Sequence, residues 1–353
     1  MIMIEIDGSY GEGGGALVRI SAALSALTGE STHIMDIRAN RPKKGLMPQH
    51  LNALKSVALL SNASCQGLEV GSTEVTFQPG ELVGGDFKLD IGTAGSMTLV
   101  LQSFLIPAAF ARDPVKITLS GGSDVRWSPP VDYLSNVTLP ILKSIGYNVE
   151  LKLLQRGHYP RGGGVLEAVI HPVKDISPFN LLDLKVDRIR GISHAVKLPE
   201  HVALRQAQSA KDTLQKAGYQ LEIEVQHSDE SLSPGSGIVL WTEGEDGTGS
   251  SADGELINSR VGSSSIGERG KRAEIVGKQA AYELLYFISR NAALDKYMGD
   301  QIIPYMAMAG NSTVKTAELT KHALTNIYVT EKITGRNFEY EGKLGEPALI
   351  RVD

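Results

Sequence analysis

His322 is where the chain best combines a reactive side chain with a setting that would use it. From Ala323 the apolar residues Ala323, Leu324, Ile327 and Tyr328 recur at helical spacing, and Gly335 supplies a stop. Thr320 can cap this helix, its hydroxyl taking one of the unpaired first-turn amides. His322 then stands in the first turn, beside the positive end of the helix dipole. The dipole disfavours a second positive charge, which predicts a neutral and nucleophilic imidazole, and the same amides attract a phosphate. A neutral imidazole beside an anion site is what attack on a phosphoryl group requires. Taken alone, the stretch fits a surface histidine near a cap better than it fits a nucleophile.

Other segments offer groups that a nucleotide or RNA end would need. GEGGG (Gly11–Gly15) lies between a strand and a helix, where glycines let backbone approach a phosphate or sugar. Its spacing is neither a P-loop nor a dinucleotide fingerprint, and Glu12 suits a ribose hydroxyl or a metal better than an anion. Arg38, Arg41, Lys43 and Lys44 precede a helix starting near Pro48, Gln49 and His50, an arrangement that can clamp polyphosphate or remain a solvated basic loop. RGHYPRGGG (Arg156–Gly164) reads as a rim for a nucleic-acid backbone with Tyr159 free to stack, or as a glycine-rich turn. YMGDQ (Tyr297–Gln301) joins an aromatic face to a carboxylate and an amide, which suits a purine; the alternative is a loop with Tyr297 on the core. Gln102 is a lone amide in an apolar helix and needs a partner, from ligand or protein. WSPP (Trp127–Pro130) offers an apolar wall or a break before a helix. The histidines include no closely spaced ligand pair, which speaks against a zinc site.

These residues need a scaffold, and the chain announces one by repetition. A strand (Ile2–Ile6), a glycine turn, a helix (about 16–27) and a strand (His33–Ile37) recur as Phe87–Ile91, GTAGS (Gly92–Ser96), Met97–Ala111 and Val115–Ser120. Each half adds a helix, near Pro48–Leu60 and Val131–Ile145, and closes in paired strand patterns. A third copy starts near Leu181–Val186 and resumes over Arg272–Asp353, with helices at Ile275–Arg290 and Leu319–Ile333. The interruption, residues 187–271, reads as an inserted small α/β domain, leaving 1–186 plus 272–353 as a three-repeat body. Its tail, Gly244–Gly254, has the composition of a surface loop.

Composition agrees with a globular enzyme or binding protein. The 353 residues are 42% hydrophobic and 21% charged, too many for one ordinary core. Cys65 is the only cysteine, which excludes an internal disulfide framework. A net charge of −5 argues against a nonspecific nucleic-acid coat but not against local basic clusters. MIMIEIDG has no signal-peptide pattern, and the apolar run at Met97–Ala111 is short for a bilayer span, so a cytoplasmic location without membrane contact is expected.

In their order along the chain these motifs resemble the RNA 3′-terminal phosphate cyclase family. The likeness runs nearly end to end: GEGGG, Arg38 to Arg41, Gln49 and His50, GTAGS with LVLQ (Leu99–Gln102), RGHYPRGGG, YMGDQ and KHALTNI (Lys321–Ile327). It implies an α+β, two-layer fold of three βαβαββ-type units, shared with enolpyruvyl transferases, with a small α/β domain inserted in the third. It also implies ATP-dependent conversion of an RNA 3′-phosphate to a 2′,3′-cyclic phosphodiester through a covalent histidine–AMP, releasing AMP and pyrophosphate. By the resemblance His322 is the nucleophile, Arg19, Arg38, Arg41 and Gln49 meet phosphates, and Glu12 meets the ribose or a divalent ion, magnesium or manganese. Tyr297 and Pro129 would sandwich the adenine, and Gln102, Asp300 and Gln301 would hold polar groups of the nucleotide. The expected partners are ATP and RNA 3′-phosphate ends; the oligomeric state is left open, with a homodimer among the options.

Three rivals share part of this pattern. A non-catalytic relative that binds RNA in ribosome assembly would have lost the nucleophile, yet His322 is present. An enolpyruvyl transferase shares the repeated unit but has no use for a histidine nucleotide. An adenylyltransferase would share the first step and differ in the acceptor of the nucleotide.

Overall fold

The computed structural model describes residues 3–92, 94–244, 247–251, 254 and 256–353. Ile2 of the first strand pattern, Thr93 of GTAGS and part of the Gly244–Gly254 tail lie outside the described residues. The first unit runs β1 (Ile4–Asp7), α1 (Gly15–Thr28), β2 (Thr32–Met35), α2 (Pro48–Leu60), β3 (Ser64–Gln66) and β4 (Val75–Gln78). The second runs β5 (Gly85–Asp90), α3 (Met97–Ala108), β6 (Val115–Gly121), α4 (Val131–Tyr133), a π-turn (Leu134–Thr138), α5 (Leu139–Ser144), β7 (Val149–Gln155) and β8 (Gly164–Ile170). Their sheets have the orders β1-β2-β4-β3 and β5-β6-β8-β7. In each, the first two strands are parallel, as a helical crossover requires, and the last two join antiparallel.

β9 (Phe179–Leu181) opens the third unit, and the chain then leaves it. The excursion contains β10 (Arg188–Val196), α6 (His201–Lys216), β11 (Leu221–Ser228), β12 (Gly235–Glu243), β13 (Gly249–Ser251), β14 (Leu256–Ile257), β15 (Gly262–Ile266) and α7 (Ala273–Ser289). The unit resumes with α8 (Lys296–Gln301), α9 (Ile303–Ala309), β16 (Ser312–Thr316), α10 (Lys321–Thr334), β17 (Phe338–Glu341) and β18 (Ala348–Val352). Its sheet, β14-β13-β9-β16-β18-β17, repeats the same pairing and gains two edge strands from the excursion. The architecture is thus α+β, three copies of one topology with a further four-stranded sheet, β11-β10-β12-β15, built inside the third.

One large apolar cluster spans all three units. α3 is apolar around its whole circumference because α1 and α2 pack against it and it sits within that cluster. A second cluster fills the space between the inserted sheet and α6 and α7. The helix read at Ile275–Arg290 is α7, and its buried face (Val276, Ala280, Ala281, Leu284, Phe287) lies on α6 and β15, not on the repeat sheets. β12 is divided between the two: Ile238 and Leu240 point into the insert cluster, Val239 and Trp241 into the large one. Strand side chains alternate faces, so one strand joins both interiors. No helix among the described residues is long and apolar enough to cross a membrane.

Asp295 ties the parts together. Fully buried at the N-cap of α8, it accepts the Tyr297 and Met298 amides at 2.8 and 3.0 Å. The Tyr133 hydroxyl of the second unit donates to it at 2.8 Å and the Gly262 amide of β15 at 2.7 Å. Burial pushes this carboxyl up to about 6, against the pull of those donors. Replacing it strands donors from three segments. Asp295→Ala is therefore expected to lower unfolding free energy by about 3 kcal/mol or more in urea titrations, with Asp295→Asn recovering part; a change within about 0.5 kcal/mol would show the junction is held elsewhere.

Candidate active site

α10 begins as its sequence suggests. The Thr320 hydroxyl accepts the Ala323 amide at 2.9 Å, and Gly335 ends the helix in the left-handed region at φ 71°. Thr320 in turn donates to the Asp300 carboxylate on α8, and the Asn326 side chain donates to the Asp300 carbonyl at 2.7 Å. His322 stands in the first turn with 49% of its side chain exposed, open to an incoming molecule.

The glycine loop of the first unit docks onto this helix end. Tyr10 stacks on Tyr328 of α10, ring centroids 3.8 Å apart. Gly11 has φ +59°, and a Cβ there would fall 2.4 Å from the Thr325 hydroxyl oxygen, so both backbone angle and close approach demand glycine. That hydroxyl accepts the Glu12 amide at 3.3 Å. Glu12 is thereby placed with Oε2 2.6 Å from Nδ1 of His322, while its other oxygen pairs with the Arg41 guanidinium. Arg41 also donates to the Glu12 carbonyl at 3.1 Å. Arg38, at φ +58°, donates to the Lys43 carbonyl and shapes the same loop.

The sequence predicts a neutral imidazole; the structure changes that expectation. The Glu12 hydrogen bond raises the His322 pKa above its ordinary value, against burial, and the charges of Glu12 and Asp300 add to the rise. A carboxylate in direct contact outweighs a helix dipole. The contact engages Nδ1 with Glu12 and favours the protonated ring, so Nε2 becomes the reactive nitrogen only once it has given up its own proton. Burial raises the Glu12 carboxyl, but the His322 contact and the charges of Arg41 and Arg19 bring it below the usual range. Arg19, buried on α1, is lowered to about 10 by burial, with Glu12 opposing. His50, in the first turn of α2 beside half-buried Gln49, is lowered to about 3 by burial and by Arg19 and Arg38, and stays neutral. Burial pushes Asp300 up to about 7. Arg19, Arg41 and one ionised carboxylate therefore stand beside a half-exposed imidazole, a setting suited to a phosphorylated ligand.

A second group of candidates meets at α3, α8 and the π-turn. Gln102 donates to the Gln301 carbonyl oxygen at 2.8 Å, Thr138 donates to the same oxygen at 3.2 Å, and Gln301 donates to the Tyr297 carbonyl at 2.9 Å. The lone amide thus finds its partner in the other candidate amide. Tyr297 is half-buried, edge-on to Tyr133 and Phe287 at 6.1 Å each, with its hydroxyl donated to Glu283 at 2.8 Å. The Pro129 carbonyl accepts from Thr98 at 2.7 Å at the start of α3. Trp127, just before it, is 94% exposed.

The run Arg156–Gly164 divides. Tyr159 is 79% exposed, but Arg156 is buried and bonded to Asp124 at 3.2 Å and Asp132 at 2.7 Å. His158 of the same run comes together with His194 of β10 and Asp124, all buried, with ligating atoms within 4.8 Å of one another. Spacing along the chain speaks against such a cluster, because its members come from three separate segments. Asp295 escapes a reading of motifs, and Thr325 and Asn326 lie inside KHALTNI without a role assigned to them there; the Thr320 cap is the available pointer to that end of α10.

Residues 10–340 match the family model described as RNA 3′-terminal phosphate cyclase. Among curated proteins, the RNA 3′-terminal phosphate cyclase of Methanothermobacter thermautotrophicus is 49% identical over 350 residues, covering 99% of this chain and 100% of the relative. That of Pyrococcus furiosus is 50% identical over 353 residues, covering 99% and 98%. Among solved structures, the enolpyruvyl transferase NikO from Streptomyces tendae is 15% identical over 48% of this chain and 33% of its own, at a TM-score of 0.27, too low to add to the fold described above.

The Glu12 contact has a measurable signature. By NMR, the His322 imidazole is expected to titrate above the ordinary 6.5, staying protonated to higher pH, and Glu12→Gln should move the inflection downward. An inflection at or below 6.5 in the unaltered protein would mean the dipole, not Glu12, sets its charge.

Proposed function

The chain belongs to the RNA 3′-terminal phosphate cyclase family, a family of ATP-dependent ligases, and we propose that it closes RNA 3′-phosphates through a nucleotide carried on His322. The observation that supports this most is the Glu12–His322 contact: a Glu12 oxygen lies 2.6 Å from Nδ1 of a half-exposed imidazole in the first turn of α10, with Arg19 and Arg41 beside Glu12.

Nε2 first releases its proton to solvent and then attacks the α-phosphorus of ATP; the bond to the bridging oxygen breaks, and pyrophosphate leaves with that electron pair. The proton on Nδ1 stays shared with Glu12, whose charge balances the cationic ring. An oxygen of the RNA 3′-phosphate then takes the adenylyl group, breaking the P–N bond and restoring the imidazole. The neighbouring 2′-hydroxyl loses its proton and attacks the activated phosphorus at enforced proximity, expelling AMP. Arg19, Arg38, Arg41 and Gln49 face the phosphates, and Arg19 and Arg41 need no movement to reach the Glu12 side of the site. Gln102, Gln301 and Asp300 would hold polar groups of the nucleotide, with its base between Tyr297 and Pro129.

The resemblance assigns Glu12 to a divalent ion such as magnesium, but both its oxygens are engaged here, by His322 and Arg41, so substrate phosphates and water would have to supply the ligands of such an ion. Such an ion supplies charge neutralisation on the polyphosphate.

Intact mass after incubation with ATP and magnesium, without RNA, tests the proposal. An acid-labile AMP adduct is expected on the unaltered protein and none on a folded His322→Ala variant. An adduct that persists in the variant would remove His322 from the mechanism. No adduct under magnesium or manganese would favour a binding protein of the same fold.

A further inference from the structure

Away from His322, at the seam between the second unit and the insert, lies a cluster the reaction does not use. Asp124 follows β6, His158 follows β7, and His194 lies on β10; they are 2%, 3% and 1% exposed. Nε2 of His158 and both ring nitrogens of His194 are buried with no hydrogen-bond partner among the described residues. Three such orphans in one place are costly unless something supplies the missing bond.

The surroundings hold the three side chains in position. One Asp124 oxygen accepts the Ser123 hydroxyl at 2.6 Å and Arg156 at 3.2 Å. Its other oxygen faces His194 Nε2 at 3.9 Å, too far for a hydrogen bond. A Cβ on Gly235 would fall 2.1 Å from the His158 ring, and one on Gly237 would sit 3.0 Å from the His194 ring. β12 thus lays bare backbone against both imidazoles. Arg156 adds a positive charge, and Asp132, bonded to its other nitrogen, offsets it.

We propose that Asp124, His158 and His194 form a binding site for a divalent transition metal of the zinc class. Two imidazoles and a carboxylate are an ordinary zinc donor set, and a movement of about half an ångström brings the 3.9 Å pair to tetrahedral spacing. Ser123 and Arg156 orient the carboxylate from behind, as outer-sphere partners do. His194 and Arg156 also line an open cleft of about 450 Å³ between β7, β10 and β11, next to the cluster. Because His194 belongs to the insert and the other two to the second unit, the ion would clamp one to the other.

The test is metal content of the protein stripped by chelator, dialysed, and reloaded with zinc or cobalt(II). A stoichiometric equivalent of zinc is expected, with a higher thermal midpoint than the stripped protein. Cobalt should give the intense visible absorption of a four- or five-coordinate site. His194→Ala and His158→Ala should lose the tightly held equivalent, and Glu12→Gln should keep it. Should the histidine variants fail to fold, X-ray absorption on the zinc-loaded unaltered protein decides: a first shell of two imidazoles and light oxygen donors is required. Absence of stoichiometric zinc together with octahedral-type cobalt absorption would overturn the site and leave a buried pair of neutral histidines. Loss of the ion in Glu12→Gln would equally overturn it, by moving the ion to the His322 site.

Discussion

A buried carboxylate can be kept only if enough donors reach it, and in this protein the donors to Asp295 come from different parts of the chain. The first turn of α8 supplies two amides, β15 a third, and α4 a tyrosine hydroxyl. No single unit satisfies the group, so the second unit, the insert and the third unit must assemble around it. The same residue starts the helix that carries Asp300 and Gln301 and orients Tyr297. Placement of those three groups therefore follows from the satisfaction of one buried charge.

The reactive end of α10 is likewise a composite. The third unit provides His322 and its cap, and the first provides Glu12, Arg19 and Arg41. Tyr10 on Tyr328 and Gly11 against Thr325 hold the two surfaces in register. Repeats with the same strand order thus present unlike loops to a common junction, and chemistry arises where the copies differ.

Much of this was legible in the chain. Three copies of one strand and helix order, the Thr320 cap and the Gly335 stop follow from periodicity and local side-chain chemistry, and all three are found. What pairs across units was not legible. Proximity of Glu12 to His322 joins residues 310 positions apart, and it reverses the charge preference that the helix end alone suggests. Gln102 and Gln301 satisfy each other for the same non-local reason. α7 has the pattern of a repeat helix, because an amphipathic stripe does not name the surface it will meet; here that surface is α6 and β15. The Asp124, His158 and His194 cluster forms only once β10 is laid beside the second sheet.

β12 carries one such dependence further. With Ile238 and Leu240 facing one interior and Val239 and Trp241 the other, the insertion has no clean seam along which it could be detached. Lifting it away would expose an indole and a valine on the detached module and open the large cluster where they packed; leaving β12 behind would unroof α6 and α7. A module acquired by insertion has in this way become indispensable architecture. A graft from another protein would have to match two unrelated surfaces with the alternate residues of a single strand.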